Sequence, residues 1–283
     1  ETKGYRGWWY YLMADAAMAL YEASGDGALL ETARDSLKRA AACCLAISWL
    51  ARLARTAQGE SGEAPADEVT ALAVENIRER LAEWGLSGSN FERKISQAIG
   101  DLGSTEHKKF HRGLHALGQM LGFQADLPDG DGEPDCVWEI GGTLCVVHEA
   151  KSEHSPGDPI GINDIRQAQS HEDWVRANRS FDKGSEVLCL IESPRETIAS
   201  EAIPYAKSLC YVSPERLRAL LGQIVAVLRR VRSRSPGLSD EKLLEHLMQE
   251  IQTAKLTPKE VVQRLSGELV SQMQTSQRKK VRQ

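Results

Sequence analysis

Apolar residues recur at helical spacing through the first hundred positions of the chain. One such series, spaced by three or four residues, consists of Trp8, Tyr11, Leu12, Ala16 and Leu20. After a break at 25–27 the pattern predicts further helices over 29–55, from 69 to near 85, and from Asn90 onward, with a linker at 59–67. The pattern therefore predicts a helical domain over residues 1–102.

The pattern changes after residue 103, where strand-like runs alternate with helical ones. A helix is predicted between Thr105 and Gly122, followed by a strand at 123–127. Two short runs rich in β-branched residues, 137–140 and 143–147, flank a glycine pair that fits a tight hairpin turn. Beyond them the pattern predicts, in order, a helix, a strand, a helix and a strand over 162–175, 185–191, 198–206 and 209–212.

Helical periodicity returns from Pro214 to the end of the chain. The predicted organisation is therefore a mixed α/β core at 103–213, between the helical domain at 1–102 and a helical extension at 214–283. Within that extension Arg229, Arg230, Arg232 and Arg234 form a basic cluster. This cluster is suited either to a phosphate backbone or to the solvated end of a helix.

Composition narrows the class of protein without choosing a function. The chain has 283 residues, of which 41% are hydrophobic and 27% charged, as is typical of globular proteins. A net charge of −5 argues against coating nucleic acid through bulk charge, although a local basic groove remains compatible with it. Six cysteines without a regular framework favour a reducing cytoplasm. The longest apolar run, 40–51, is too short to span a bilayer, so we expect no membrane partner.

Charged residues gather at the open end of the predicted hairpin. Asp135 precedes the first strand, and Glu149, Ala150 and Lys151 end the second. Side chains alternate along a strand, so Glu149 and Lys151 share one face, whereas His148 faces the other way and is predicted to be a packed strand residue. Strand pairing can bring Asp135 beside them. Two carboxylates suit Mg²⁺, and a lysine beside them suits metal-assisted phosphodiester hydrolysis.

This hairpin resembles the PD-(D/E)XK nuclease superfamily, through Pro134-Asp135 and Glu149-Ala150-Lys151. The resemblance covers about residues 104–213 and implies a restriction endonuclease-like αβββαβ core. It further implies that Asp135, Glu149 and the Ala150 carbonyl hold Mg²⁺ or Mn²⁺. Lys151 would act on the attacking water and the scissile phosphate, and DNA would be the substrate.

The resemblance extends to an acidic residue near the start of the preceding helix. Glu106 stands where superfamily members often carry an acid that helps at the metal site. A carboxylate that stabilises the helix N-terminus is an equally good interpretation. Glu92 is a weaker candidate, because its helix comes one element too early.

The helix after the hairpin resembles a supporting motif of some superfamily members, in which a glutamine is followed four residues later by a tyrosine. Gln167 matches the glutamine, but His171 stands in place of the tyrosine. Gln169 is an alternative to Gln167. A polar helix surface is the competing interpretation of all three residues.

An aromatic cluster at Trp8-Trp9-Tyr10-Tyr11 allows two interpretations. Such side chains can stack on the bases of a single strand, but within an amphipathic helix they more often form a core or an interface, which we favour. The helical domain is accordingly expected to be a scaffold, a docking surface for a partner, or an element that positions DNA.

Together these features predict a metal-dependent DNA nuclease of antiviral defence or DNA processing. The first residue is not Met and no secretory signal precedes it, so we expect a segment of a longer polypeptide. A helicase or other ATPase would lie on that polypeptide or on a partner chain, and cutting both strands of a duplex favours a homodimer. Two alternatives are a catalytically silent nuclease fold that binds nucleic acid or a protein, and a helical interaction protein with an accidental motif.

Overall fold

The computed structural model describes residues 2–43, 50, 53–54, 57, 66–85, 88–130, 132–181 and 184–276. These residues form a mixed α/β structure that divides into two compact units, residues 1–72 and 73–283. In the described part of the chain, no helix is long and apolar enough to cross a membrane.

The first unit contains a helical hairpin of α1 (Thr2–Ser24) and α2 (Gly27–Cys43). Gly25 adopts a φ of 71° at the turn, which glycine reaches without strain, and Asp26 Oδ1 accepts a hydrogen bond from the Ala28 amide. A small core includes Leu37 and Leu50. Much of the predicted stretch 29–55 beyond Cys43, and most of the predicted linker, lie outside the described residues.

Helix α3 (Ala66–Trp84) runs from the first unit into the second. Among its described residues, the second unit contains six further α-helices and seven strands. In chain order its elements are α4 (Ser89–Leu102), α5 (His107–Met120), β1 (Gln124–Asp126), β2 (Cys136–Ile140), β3 (Leu144–Ala150), α6 (Ile162–Asn178), β4 (Glu186–Glu192), β5 (Thr197–Ala199), β6 (Cys210–Val212), α7 (Pro214–Arg234), α8 (Asp240–Thr253), α9 (Pro258–Leu265) and β7 (Gln274–Ser276).

A mixed five-stranded sheet forms the centre of this unit, with strand order β1-β2-β3-β4-β6. The pairs β1–β2 and β2–β3 are antiparallel, whereas β3–β4 and β4–β6 are parallel. Gly141 and Gly142, with φ of 62° and 66°, make the predicted turn between β2 and β3. Every residue of β3 is buried, so this strand is covered on both faces.

The two faces of the sheet pack on different helices. On one face Val147 of β3 lies in a cluster with Ile165 and Val175 of α6. On the other, Trp138 of β2 packs 5.6 Å from Phe123, ring centre to ring centre, and donates a hydrogen bond to the Leu114 carbonyl of α5 at 3.2 Å. Successive residues of β3 therefore face α6 and α5 alternately.

Residues 198–206 were predicted to be a helix, and the structure differs. They form β5, a loop and a short 3₁₀ turn at Ile203–Tyr205. Ile198 pairs in parallel with Thr275 of β7 and also forms a bridge with Ile160. Those partners are distant in sequence, and Pro204 lacks the amide that a continuous helix needs.

The C-terminal segment is fastened to the edge of the main sheet as well as to β5. The Tyr211 amide donates to the Glu268 carbonyl at 2.8 Å, and the Val270 amide donates to the Leu209 carbonyl at 2.9 Å. Residues 268–276 therefore hydrogen-bond along both β5 and the segment that contains β6.

The structure also divides the chain elsewhere than the predicted boundaries at 102 and 213. Helix α4 was predicted to belong to the N-terminal domain, but it packs on α5 in the second unit. Helix α7 also packs on α4. Glu92 of α4 forms ion pairs with Arg229 at 2.7 Å and with Arg232 at 3.3 Å. Arg230 pairs similarly with Glu250 at 2.8 Å. These arginines are therefore engaged within the unit.

Helices α4 and α5 approach closely at Gly113, which yields a test of this packing. A Cβ atom there would lie 2.4 Å from the backbone nitrogen of Leu102. We expect Gly113→Ala to lower the free energy of unfolding by about 1–3 kcal/mol, because backbone must move. In chemical denaturation, Gly100→Ala is the matched control, since nothing lies within 4 Å of its Cβ position on α4. Equal midpoints for the two variants would contradict this account.

Candidate active site

Asp135 connects the start of β2 to the end of β3 at the open end of the hairpin. Its amide donates to the His148 carbonyl at 3.0 Å, and its Oδ2 accepts a hydrogen bond from the Ala150 amide at 2.7 Å. The side chain is thus held beside the last residues of β3. Adjacency of Asp135 to the end of β3, which the hairpin predicted, is present in the structure.

Glu149 faces α6 and is completely buried, with an exposed fraction of 0%. Its Oε1 forms an ion pair with Lys151 Nζ, and its Oε2 lies 2.5 Å from His171 Nε2. Lys151 Nζ also donates to Gln167 Oε1 at 3.1 Å. The four side chains form one connected group of charges and hydrogen bonds.

Helix α6 therefore brings both residues of the predicted supporting motif to the hairpin. Gln167 is exposed and contacts Lys151, whereas His171 is buried and contacts Glu149. Burial of His171 rules out an exposed polar surface at that position. Gln169 has no hydrogen bond to these residues, and its buried amide nitrogen lacks a hydrogen-bond partner among the described residues.

His111 of α5 belongs to the site although sequence reasoning missed it. Its Nε2 is buried, lies 3.6 Å from Asp135 Oδ1 and has no hydrogen-bond partner in the described part of the chain. Burial lowers the pKa of His111, against the charge of Asp135, which favours the neutral ring. The available signal was its place beside the buried Phe110 in the helix that precedes β1.

Neighbouring groups shift the pKa of Asp135 in opposite directions. Burial and the charge of Glu149 raise the pKa of its carboxyl group. His111, the Ala150 amide and Lys151 act in the opposite direction. A bound cation would relieve the repulsion between the two carboxylates.

Glu106 lies at the N-terminal end of α5 and pairs within its own helix. It occupies the N-cap position, and its carboxylate pairs with Lys109 Nζ at 2.6 Å, which holds the pKa of Glu106 below its ordinary value. Within the described ranges, no hydrogen bond or ion pair joins it to Asp135 or Glu149. Its predicted role at the metal therefore gains no support from this arrangement. Glu92 is engaged with α7.

A pair of buried ionisable side chains, His148 and Glu192, lies on the face of the sheet that meets α5. His148 Nδ1 is 2.7 Å from Glu192 Oε1, and both residues are completely buried. The His148 ring lies 4.2 Å from the ring of Trp138. Burial raises the pKa of Glu192, and His148 opposes that shift. The prediction that His148 is a packed strand residue is confirmed, whereas Glu192 was not predicted.

This pair is connected to the site through the backbone. The His148 carbonyl accepts from the Asp135 amide, and the Glu192 carbonyl accepts from the Lys151 amide at 2.7 Å. The same two residues whose side chains meet inside the protein therefore fix the backbone of Asp135 and Lys151. The sequence signal for Glu192 was a carboxylate at the end of a buried strand.

The residues present fit a hard divalent cation, although they are not arranged as a complete ligand cage. Among the described residues, no group of three or more His, Cys, Asp or Glu is placed to hold a metal ion. Two carboxylates nevertheless lie at the hairpin end, and the orphaned Nε2 of His111 faces one of them. Oxygen ligands with one imidazole suit Mg²⁺ or, better, Mn²⁺.

Comparison of the chain with protein-family models, curated proteins and solved structures finds no match.

Proposed function

We propose that this chain is a Mg²⁺- or Mn²⁺-dependent nuclease that hydrolyses phosphodiester bonds of DNA. The observation that carries the proposal is the hydrogen bond between Asp135 Oδ2 and the Ala150 amide, next to the Glu149–Lys151 ion pair. It supports the same juxtaposition of two carboxylates and one lysine that the PD-(D/E)XK resemblance requires. The order α5-β1-β2-β3-α6-β4 supports a restriction endonuclease-like core.

Asp135 and Glu149 would hold the metal ion, with the Ala150 carbonyl as a third ligand and His111 Nε2 as a nitrogen ligand. When bound, the ion would lower the pKa of a water molecule and polarise the phosphate. His111 suits this role because its nitrogen is buried, unpartnered and directed at Asp135. Glu106 remains a candidate for a contact through water.

Lys151 would orient the attacking water and stabilise the negative charge that develops on the phosphate oxygens. Its ammonium group is held by Glu149 of β3 on one side and by Gln167 of α6 on the other, so one strand and one helix set its position. His171 would act through Glu149, by fixing the orientation of that carboxylate. Gln167 would act through Lys151 in the same manner.

A silent nuclease fold that binds nucleic acid or a protein is the second candidate. One observation favours it: both oxygens of Glu149 are engaged, by Lys151 and by His171. For the nuclease, Lys151 must yield part of its contact with Glu149 when the ion binds. A silent fold has no such requirement.

The wider setting of the proposal is defence against foreign DNA or DNA processing in the cytoplasm. A helicase or other ATPase, on the same longer chain or on a partner chain, would supply unwound or translocated DNA. This part of the proposal rests on the superfamily resemblance, since one fold serves many roles.

The test is cleavage of supercoiled plasmid and of linear single- and double-stranded DNA with Mg²⁺, Mn²⁺ or EDTA. We expect cutting that requires the metal. In calorimetric titration with Mn²⁺, Asp135→Asn should weaken binding by about 10–100-fold, because an amide replaces an anionic ligand. Asp129→Asn is the matched control, because Asp129 is an exposed aspartate between β1 and β2. DNA binding without metal binding or cutting would favour the silent fold.

A further inference from the structure

Helix α1 is apolar on both sides, although α2 covers only one of them. Its inner side packs into the small core of the first unit, where Tyr10 and Tyr11 contribute partly buried rings. Its outer side is a continuous exposed stripe, spaced as one face of a helix. The stripe consists of Tyr5, Trp8, Trp9, Leu12, Met13, Ala16, Ala19, Leu20 and Ala23.

This stripe is too large to be ordinary monomer surface. Tyr5, Trp8 and Trp9 are 75%, 56% and 61% exposed, and Leu12, Met13 and Leu20 add to them. An aromatic side chain contributes about 150–250 Å², so the stripe presents on the order of 700 Å² of apolar surface. That value is close to the ~800 Å² per partner of a specific protein interface, and above the ~300–600 Å² patch of a typical monomer.

The order of residues along the stripe is self-complementary. Its N-terminal half carries three large aromatic side chains, Tyr5, Trp8 and Trp9. Its C-terminal half carries the small residues Ala16, Ala19 and Ala23 together with the larger Leu20. In an antiparallel pair of identical helices, the large half of each copy lies over the small half of the other. A parallel pair would place large on large and small on small, and would pack less well.

We propose that the stripe on α1 is a homodimer interface, in which α1 packs antiparallel against α1 of a second copy. A twofold axis near the middle of the helix then buries the same surface of both copies. The charged residues Arg6, Asp15 and Glu22 lie at the margins of the stripe, where they stay in water. The inference is independent of the proposed activity, since α1 carries none of the site residues.

The test is the molar mass of the full chain in solution, by light scattering across a protein concentration series. We expect a dimer for the wild type. Leu12→Glu should raise the dimer dissociation constant by about a hundredfold, because a twofold interface carries the buried charge twice. Leu238→Glu is the matched control, since Leu238 is 38% exposed and Leu12 is 40% exposed, but Leu238 lies in the second unit.

The antiparallel orientation of the two α1 helices is tested by Ala19→Trp. A new indole at this exposed position would occupy the space of the partner's aromatic half, so an antiparallel dimer should weaken. A stronger dimer would overturn the antiparallel arrangement in favour of a parallel one.

A wild type that is monomeric throughout, or dimers in both leucine variants, would overturn the interface. A monomer whose affinity for single-stranded oligo-dT falls in Trp9→Ala would overturn it in favour of base stacking.

Discussion

Lys151→Ala is expected to lower the rate of metal-dependent DNA cleavage by about 10²–10³-fold, because one donor aimed at the developing phosphate charge is lost. Binding of Mn²⁺ should be unchanged or tighter, since the ammonium group no longer shares Glu149 with the metal. Rates of plasmid cleavage and titration with Mn²⁺ measure the two effects separately. This combination distinguishes Lys151 from Asp135, whose replacement should weaken metal binding itself.

The control for this variant is Lys207→Ala, which removes an exposed lysine of the same unit. It should cut DNA at the wild-type rate. Thermal unfolding of both variants shows whether the loss of Lys151 merely disturbs the fold around Glu149. Cleavage by Lys151→Ala within threefold of the wild type would contradict the role assigned to the lysine.

Glu192→Ala is expected to lower the free energy of unfolding by about 3–5 kcal/mol. The substitution leaves His148 buried without its carboxylate partner and removes packed volume beside the His148 ring. Chemical denaturation followed by circular dichroism measures the change. The carbonyls of the two residues also bind the backbones of Asp135 and Lys151, so loosening of the strand ends that carry those carbonyls should lower metal affinity in parallel.

Glu186→Ala is the matched control, because Glu186 begins the same strand but is exposed. A surface substitution of this kind normally changes stability by about 0.5 kcal/mol or less. Similar denaturation midpoints for Glu186→Ala and Glu192→Ala would show that the buried pair contributes little. Glu192→Gln keeps a hydrogen-bond acceptor for His148, so its denaturation midpoint should lie between those of Glu186→Ala and Glu192→Ala.

The hairpin could be predicted from the sequence because its signals are local. The signals are the β-branched runs of β2 and β3, the pair Gly141-Gly142 and the position of Asp135, and all of them lie within residues 135–150. Helical spacing likewise placed Gln167 and His171 on one side of α6. In each case residues that are close in sequence determine which side chains share a face.

The remaining features depend on contacts between distant parts of the chain. Glu192 contacts His148, which lies 44 residues earlier in the chain, and neither the residue types nor their spacing predicts this contact. His111 approaches Asp135 only because α5 packs beneath the sheet. The strand at 197–199 was predicted as helix since its partner, β7, lies near residue 275. The predicted boundary at 102 was drawn from the change in hydrophobic pattern along the chain, which does not show that α4 packs on α5.

Pairing of β5 with β7 has a consequence for biosynthesis. Strand β5 emerges from the ribosome long before β7, and Leu209 and Tyr211 likewise await the backbone of residues 268–270. Helices α7, α8 and α9 are made in the interval. We therefore expect the nascent chain to hold an open strand edge beside the sheet until residues 268–276 are synthesised. During that interval the growing chain is most exposed to wrong pairing and most dependent on chaperones.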